Sequence, residues 1–387
     1  MTFFGIIIDT LTLVLLIILA VSIIILFLYY GLFYLRIGIR KERKSNQSGQ
    51  NLPGVSVVLT VKNESEQLKE NLVYLLEQDY HNFEVIVINH VSRDHTKFIL
   101  QTYQDNYPNL KVINFSQDVN LFQGKKFPLS IGIQSAKNDI ILLTECSCKP
   151  REFSWITEMV EQFNHNTEFV IGYSNIGAEK TVLNSFIQYD NLAYNASMFG
   201  YAMLGLPYTG CGKNLAYHRS FFFKKGGFIK HYHIPFGDDD IFVNENSNRK
   251  NTAICLNWET YMTYQPKKTV KAWIQEKAKR MATQKYYPLK YKILLSLYPA
   301  SVVLFYTSLI MLIVMNAQPE TAILWQTMVG IGVLKLGWQI FTFHKLERRL
   351  EGSYTAYFSP FFEIYFIVIN TIMYLSTLRN KIKRWKQ

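Results

Sequence analysis

The feature that most constrains this chain is a run of 25 residues without a charged side chain, from Leu11 to Leu35. A helix of about 20 apolar residues spans the hydrocarbon core of a bilayer, and it satisfies its backbone polar groups internally. A signal peptide has a shorter apolar core, a basic start and a small-residue cleavage site, and this run matches none of these properties. We therefore predict an N-terminal transmembrane anchor over residues 1–35.

Further apolar segments lie near the C-terminus, each interrupted by at most one charge: 293–317, 321–343 and 356–378. The stretch between them and the anchor has ordinary soluble composition and is long enough for one sizeable core. The sequence thus predicts, after the anchor, a basic and polar linker over 36–54, a cytoplasmic domain over 55–289 and a C-terminal membrane region over 290–387.

Positive charges indicate the orientation. Five basic residues directly follow the first run: Arg36, Arg40, Lys41, Arg43 and Lys44. Because lysine and arginine concentrate on the cytoplasmic side of membrane proteins, we expect the domain over 55–289 in the cytoplasm and the N-terminus outside. The protein is then a multi-pass protein of the cell (inner or plasma) membrane.

The basic C-terminus conflicts with three crossings in the C-terminal region. A third crossing would leave these residues outside, against the same bias: Arg379, Lys381, Lys383, Arg384 and Lys386. Either residues 356–378 are re-entrant or interfacial, or another apolar segment does not fully cross. We expect a cytoplasmic C-terminus.

Two charges interrupt the apolar segments, Lys335 and Glu363. If their segments are adjacent antiparallel helices, each residue lies about eight positions, or roughly 12 Å, from the cytoplasmic end. Isolated charges are costly in hydrocarbon, so we expect these two to pair. The pair is either structural or lines a path for a polar lipid headgroup.

The formal net charge of +12 suggests an anionic partner. Much of the excess lies beside the apolar segments, where it suits the headgroups of anionic lipids. No basic helix interleaved with aromatic residues indicates a nucleic-acid groove, so we expect membrane lipids as partners and no nucleic acid. The four cysteines fall in a reducing compartment and lack metal-site spacing, which argues against disulfides and thiol-bound metal.

Residues 55–144 alternate between β-branched runs and helical apolar spacing. The predicted strands are 55–61, 84–89, 110–115 and 139–144, and the predicted helices are 64–77, 96–105 and 125–136. This order indicates an α/β fold with a mostly parallel sheet, which binds ligands at the carboxyl ends of its strands. Polar residues follow three strands there, at 62–64, 89–94 and 145–147, as a ligand rim or as ordinary solvated loops.

Several motifs occur in register with these elements. They are Pro53–Glu64, Leu75–Tyr80, Gly124–Lys126, Thr144–Pro150, Gly210–Tyr217 and Gly237–Asn244. Together, over Pro53–Tyr287, they resemble the inverting family 2 glycosyltransferases, whose GT-A domain holds a nucleotide-diphospho-sugar. The resemblance implies transfer of a sugar, expected to be UDP-linked, from a nucleotide-sugar donor to a lipid or glycan acceptor at the membrane.

Three adjacent carboxylates, Asp238, Asp239 and Asp240, repel one another unless a cation or a substrate hydroxyl uses them. In the family an acid at this place is the general base, and Asp239 matches it best. The alternative is that the three aspartates cap a helix that begins near Ile241.

The resemblance also implies binding roles for residues at the other motifs. Donor-binding candidates are Asn63, Glu64, His90, Asp94, Lys125, Glu145 and Ser147; acceptor or diphosphate candidates are Gly212, Lys213, Asn214, Gln275, Glu276, Lys279 and Arg280. Alternatives remain for each group: Gly210–Asn214 is a tight turn before a strand, Lys125 and Lys126 are solvated, and the basic helix over 267–285 faces lipid.

The chain departs from the family's pattern at three ligand-contacting positions. His90 stands where the family has an aspartate, Glu145-Cys-Ser147 replaces Asp-x-Asp, and Glu276, Lys279 and Arg280 align with Gln, Arg and Trp, with Gln275 one residue away. Glu145 is therefore the candidate metal ligand for Mg²⁺ or Mn²⁺, helped by Asp94 or the aspartate cluster. Alternatively Lys279 and Arg280 replace the metal's charge, or the chain is an inactive scaffold or regulatory subunit.

Overall fold

A computed structural model of the chain describes residues 9–41, 52–115, 124–352 and 355–379, with two short paired strands at Thr2–Phe3 and Ile6–Ile7. Most of the predicted linker, including Arg43 and Lys44, and the basic residues beyond Arg379 lie outside the described residues. The chain divides into two compact units. The helical unit comprises residues up to Arg40, Gln188–Gly200 and Pro288–Ile372, and the α/β unit comprises the remainder.

The α-helices of the described residues are, in chain order: α1 Thr10–Leu28, α2 Ser65–Leu76, α3 Thr96–Asn106, α4 Lys126–Ser135, α5 Trp155–Val160, α6 Val182–Met203, α7 Arg219–Lys224, α8 Asp240–Asn246, α9 Val270–Ala282, α10 Leu289–Met315, α11 Ala322–Leu350 and α12 Ser359–Arg379. The strands of the α/β unit are β1 Val55–Val61, β2 Phe83–His90, β3 Leu110–Phe115, β4 Ile140–Leu143, β5 Cys148–Pro150, β6 Phe169–Gly172, β7 Ser174–Ile176, β8 Leu215–His218, β9 Thr252–Cys255 and β10 Met262–Tyr264.

A seven-stranded sheet in the order β9-β6-β8-β4-β1-β2-β3 forms the centre of the α/β unit. Strands β4, β1, β2 and β3 pair in parallel, and β8 runs antiparallel to both of its neighbours. The register places Val61 beside Asn89 and His90 beside Phe115, so the ends of β1, β2 and β3 lie at one edge. The predicted α/β architecture with a mostly parallel sheet is confirmed.

The predicted strands and helices of residues 55–144 form within one residue of their expected bounds. β1 is buried along nearly its whole length, as expected for a parallel strand with helices on both faces. Helix α2 turns Leu68, Leu72, Leu75 and Leu76 to the same core, which is the apolar spacing that predicted it. The second sheet, in the order β5-β10-β7, was not predicted, because its strands have only three residues each.

Among the described residues, three helical stretches are long and apolar enough to cross a membrane: Thr10–Gly38, Leu289–Met315 and Ala356–Thr377. The first includes α1, a wider π-helical turn over Tyr29–Leu35 and a last turn to Gly38, so it ends three residues later than expected. Helix α11, which contains Lys335, is not in this group.

The segment Gln188–Gly200 corrects the predicted domain boundary, since it belongs to the helical unit and not to the domain expected over 55–289. Its Tyr189 ring stacks on Phe343, Phe362 and Phe366 at centroid distances of 5.4, 4.9 and 5.5 Å. These aromatic contacts hold the segment there, and they are too distant in sequence to be read from its composition.

The expected pairing of Lys335 with Glu363 is confirmed: Nζ lies 2.6 Å from Oε2, and both side chains are almost fully buried. The hydroxyls of Tyr30, at 2.6 Å, and Tyr298 donate to the other carboxylate oxygen. Lys335 also donates to Gln339 Oε1 at 2.7 Å. Helix α11 continues to Leu350, so Lys335 lies farther from its end than expected.

We expect Lys335→Leu to destabilise the helical unit more than Lys335→Leu combined with Glu363→Leu. The single change leaves a buried carboxylate without its counter-charge, which costs about 3–5 kcal/mol, whereas removing both charges leaves none to compensate. Thermal unfolding in detergent measures both. Lys290→Leu, at an exposed position of α10, is the control and should change stability by about 0.5 kcal/mol or less. An equal or larger loss in the double variant would contradict the pairing energetics.

Candidate active site

The loops after β1 and β2 are tied together by hydrogen bonds. Asn63 has a φ of 54°, a left-handed conformation that asparagine adopts more readily than most residues. Its side-chain oxygen accepts from the backbone N–H of Arg93 at 2.7 Å, and its own N–H donates to Ser92 Oγ at 3.0 Å. Asn63 therefore lies exposed at the predicted ligand edge while it also fixes the edge's shape.

Asp94, predicted to bind donor or assist a metal, accepts hydrogen bonds from the first residues of two helices. One carboxylate oxygen accepts from the N–H of Thr96 and the other from that of Ser65, both at 3.1 Å. Burial raises the pKa of Asp94, but the hydrogen bonds from Thr96 and Ser65 together outweigh it and lower the pKa below its ordinary value. Asp94 therefore orders the first turns of α2 and α3, and its exposed side chain remains a candidate for donor binding.

His90 and Glu64 lie at the same edge with different exposure. His90 is 6% exposed and its ring meets the edge of Phe115, with centroids 6.2 Å apart, so this departure from the family's aspartate packs inward. Glu64 remains partly exposed. Burial, reinforced by the nearby charge of Glu145, raises the pKa of Glu64.

Glu145, directly after β4, is held between two lysines. Its Oε1 lies 2.9 Å from Lys125 Nζ, and its Oε2 lies 3.1 Å from Lys213 Nζ. Burial alone would raise the pKa of the Glu145 carboxyl, but the two ammonium groups lower it well below its usual range. The carboxylate is therefore ionised and both of its oxygens are paired.

The charge network continues from both lysines. Lys125 Nζ also lies 3.2 Å from Asp238 Oδ2, and Lys213 Nζ lies 3.8 Å from Glu276 Oε1. Glu276 in turn pairs with Lys267 at 3.5 Å. The network thus connects β4, the Gly210–Asn214 loop, the aspartate cluster and α9. Sequence alone left the choice between Gln275 and Glu276 open, and it is Glu276 that forms these ion pairs.

The three aspartates have different environments. Asp238 and Asp240 are buried at 5% and 6% exposure, whereas Asp239 is partly exposed. Asp239 accepts from the backbone N–H of Gly212 at 2.7 Å and from that of Asp240 at 2.8 Å, and it is the N-cap of α8. The predicted helix cap and the residue predicted as general base are therefore the same residue.

Asp240 is a structural acid. Its Oδ2 accepts from the hydroxyls of Thr283 and, at 2.9 Å, Tyr287, and its Oδ1 accepts from the N–H of Ile241 at 2.8 Å. Burial and the adjacent Asp239 raise the pKa of Asp240 to about 7. Asp240 therefore fixes the end of α9 to the aspartate cluster and is corrected from a catalytic to a structural role. No motif or spacing in the sequence pointed to Thr283 or Tyr287.

Two glycines permit this geometry. Gly237 has a φ of 90°, and a Cβ there would lie 2.4 Å from Ile241 Cδ1. A Cβ on Gly212 would lie 3.3 Å from Asp239 Oδ2, so a side chain would crowd the carboxylate that its own N–H contacts. Gly212 is therefore at the site as predicted, through its backbone.

Asn214 and Lys126 are scaffold residues. Asn214 is fully buried; its Oδ1 accepts from Trp155 Nε1 at 3.0 Å, and its Nδ2 donates to the carbonyls of Tyr173 and Thr260. The expected acceptor contact through its side chain is therefore wrong. Lys126 is 1% exposed and donates to the carbonyls of His231 and Ile234, so it does not approach a phosphate.

The remaining candidates lie directly before β5 and on α9. Ser147 is partly exposed, with its Oγ 3.9 Å from Cys148 Sγ. On α9, Gln275 is exposed and the Lys279 ammonium lies 5.8 Å from the centre of the Phe236 ring. Arg280 is partly exposed on the same helix. The positive charge at Glu145 is supplied by Lys125 and Lys213, and neither Lys279 nor Arg280 has a described ion pair with Glu145.

The residues at Glu145 do not fit a divalent metal. Mg²⁺ and Mn²⁺ bind through several hard oxygen ligands, most often carboxylates. Among the residues that the structure describes, no group of three or more His, Cys, Asp or Glu side chains is arranged to hold a metal ion. Ser147 replaces the second carboxylate, and two ammonium groups already occupy both oxygens of Glu145.

Comparison with known proteins agrees with this fold. Residues 56–225 match the family model described as glycosyl transferase family 2. The chain carries a family 2 glycosyltransferase domain. YdaM of Bacillus subtilis, described as a probable glycosyltransferase, is 25% identical over 224 residues, which cover 54% of this chain and 52% of that protein.

A second relative matches a shorter stretch, and a solved structure matches most of the chain. The poly-β-1,6-N-acetyl-D-glucosamine synthase of Staphylococcus epidermidis is 30% identical over 108 residues, 26% of this chain and 25% of that protein. The chain thus spans about half the length, or less, of the curated relatives it matches. A mannosyltransferase of Pyrobaculum calidifontis, solved with GDP-Man and Mn²⁺, superposes with a TM-score of 0.58 over 94% of this chain and 99% of that one. At 15% identity this likeness shows the fold.

We expect Asp240→Asn to remove a pH dependence of stability. The folded state keeps the Asp240 proton up to about pH 7, whereas the unfolded chain loses it near pH 4, so wild-type stability falls as the pH rises between these values. An asparagine does not titrate, so the melting temperature of the variant should fall less than that of wild type between pH 5 and pH 8. We expect the difference between the two falls to be at least about 3 °C. Thermal unfolding at several pH values measures it, with exposed Asp105→Asn as the control. Parallel pH profiles for all three proteins would contradict the assignment.

Proposed function

We propose that this chain transfers a sugar from a nucleotide-sugar donor to an acceptor hydroxyl with inversion at the anomeric carbon. The observation that carries the proposal is Asp239. Asp239 is partly exposed and its carboxylate is oriented by two backbone N–H groups, while the acids on either side are buried. A general base needs this combination of fixed position and access to the substrate.

Asp239 acts as the base in this reaction. It takes the proton of the acceptor hydroxyl while the acceptor oxygen attacks the anomeric carbon, and the bond from that carbon to the diphosphate breaks with its electron pair leaving on phosphate. Burial and the adjacent charge of Asp238 raise the pKa of Asp239 above its ordinary value. A raised pKa makes the carboxylate a stronger base, provided that it is ionised at the working pH.

The donor binds at the carboxyl edge of β1, β2 and β4. Exposed Asn63 and partly exposed Glu64 and Glu145 surround that edge, as a nucleotide requires for its hydrogen bonds. The resemblance of the motifs favours a UDP-linked sugar. The Pyrobaculum neighbour was solved with a guanosine diphosphate sugar, so a donor panel must include both bases.

The acceptor is a lipid or a glycan close to the membrane. Among the residues that the structure describes, three helical stretches are able to cross a bilayer, and they would keep the α/β unit at a membrane surface. The relative in Staphylococcus epidermidis is named as a synthase of a polysaccharide, which is one acceptor class of this kind. Membrane lipids are then also partners of the helical unit.

The protein is proposed to be a multi-pass protein of the cell membrane with its α/β unit in the cytoplasm. Basic residues follow the first span at Arg36, Arg40 and Lys41, and the cytoplasm is where nucleotide sugars are available. Exactly three crossings, starting outside, would put the basic C-terminus inside, in agreement with the same charge bias.

We expect Asp239→Asn to reduce transfer, or donor hydrolysis, by about 10²- to 10⁴-fold, since the base is lost while the shape is kept. Purified protein in detergent is assayed with UDP- and GDP-linked sugars and with membrane lipids as acceptors. Activity of the wild type should rise with pH through the raised pKa of Asp239. The matched control is Asp105→Asn, at an exposed position on α3. If wild type and both variants bind donor but none of them turns it over, the result would favour the inactive, regulatory alternative.

The orientation is tested with single cysteines in a Cys211→Ser background, because the other three cysteines are buried. Lys97 on α3 and Gln318 between α10 and α11 are both exposed. A membrane-impermeant maleimide should label Gln318→Cys in intact cells and Lys97→Cys only after permeabilisation. The background protein alone is the control. The opposite pattern would place the α/β unit outside.

A further inference from the structure

Two lysine ammonium groups lie at Glu145, where the family binds a metal ion, and the described residues there do not form a set of metal ligands. Glu145 follows β4, where the family's metal motif lies, yet the next position available for a ligand is a serine. Two lysines, from the start of α4 and from the Gly210–Asn214 loop, approach the same carboxylate from both sides. We propose that Lys125 and Lys213 take the place of a divalent metal and bind the donor's diphosphate directly, so that transfer needs no metal ion.

The two ammonium groups are accessible and anchored. The Lys125 side chain is 30% exposed and the Lys213 side chain 16%, so each is largely enclosed but reachable by a ligand. An ammonium group has three N–H donors; Lys125 donates one to Glu145 at 2.9 Å, and its Nζ lies 3.2 Å from Asp238 Oδ2. A phosphate oxygen at a remaining donor would complete its coordination.

Both lysines keep their charge through the reaction. Burial alone would lower the pKa of each ammonium, but Asp238 and Glu145 raise the pKa of Lys125, and Glu145 raises that of Lys213, well above the usual range. When the bond from the anomeric carbon to phosphate breaks, the electron pair and its negative charge pass to the nucleoside diphosphate. Fixed positive charge at that point stabilises the leaving group in the way a metal ion would.

Glu145 is then a positioning residue. It orients two lysines that would otherwise repel each other, and it does not need to touch the substrate. This assignment differs sharply from the metal reading, in which Glu145 is the essential ligand. Replacing it with glutamine therefore has opposite consequences under the two readings.

The inference rests on the proposed function, because the diphosphate is that of a nucleotide-sugar donor. Binding of UDP and GDP to the purified full-length protein is measured by calorimetry in EDTA, in Mg²⁺ and in Mn²⁺. We expect the Kd of the preferred nucleotide in EDTA to equal that in either metal within about threefold. Binding that appears only with metal overturns the inference and leaves the proposed function standing. An absence of binding by either nucleotide in every condition overturns both.

Variants then assign the charge. Lys125→Gln and Lys213→Gln should each weaken nucleotide binding in EDTA at least tenfold, whereas Lys213→Arg, which keeps the charge, should stay within about fivefold of wild type. Glu145→Gln should bind at least as tightly as wild type in EDTA. The control is Lys97→Gln, at an exposed position on α3. Melting temperatures show whether each variant is folded. If the variants do not fold, the comparison of wild-type nucleotide binding in EDTA with that in Mg²⁺ or Mn²⁺ still tests the inference. Unchanged binding in both glutamine variants of the lysines, or loss of binding in Glu145→Gln, overturns the inference.

Discussion

The parallel pairing of β1 with β2 and β4 determines where every candidate group of the α/β unit lies. Parallel strands end at the same edge of a sheet, so residues that follow Val61, His90 and Leu143 meet although Val61 and Leu143 are 82 residues apart in sequence. Asn63 then locks two of the loops through Ser92 and Arg93. Without that edge the polar residues after each strand would be three unrelated loops.

Mutual repulsion among the acids at this edge is resolved by giving each one a different partner. Asp238 faces Lys125, Asp240 takes the hydroxyls of Thr283 and Tyr287, and Asp239 keeps two backbone N–H groups and an open side. A carboxylate cluster is costly when its members share one environment, and here burial, ion pairing and N-capping separate them. This separation is what leaves one acid available as a base.

The helical unit meets a harder constraint, since charges in an apolar environment have no water to solvate them. Glu363 has an ammonium and two tyrosine hydroxyls around it, and Lys335 has a carboxylate and an amide oxygen. A pair so fully enclosed adds little net stability, but it penalises any arrangement of α11 and α12 that separates the two charges. The pair therefore specifies how these helices align.

The sequence by itself determined the apolar segments, the alternation of strands and helices, the Lys335–Glu363 pair and the family motif that contains Asp239. These follow from periodicity, run length and the cost of unpaired charge, which are local or require only one partner. Only the tertiary structure decided that Asp240 and Asn214 are structural, that Gln188–Gly200 belongs to the helical unit, and that Lys125 and Lys213 enclose Glu145. Identical residue types had several compatible roles, and the role taken depends on partners such as Thr283 and Trp155, brought close by folding from distant positions.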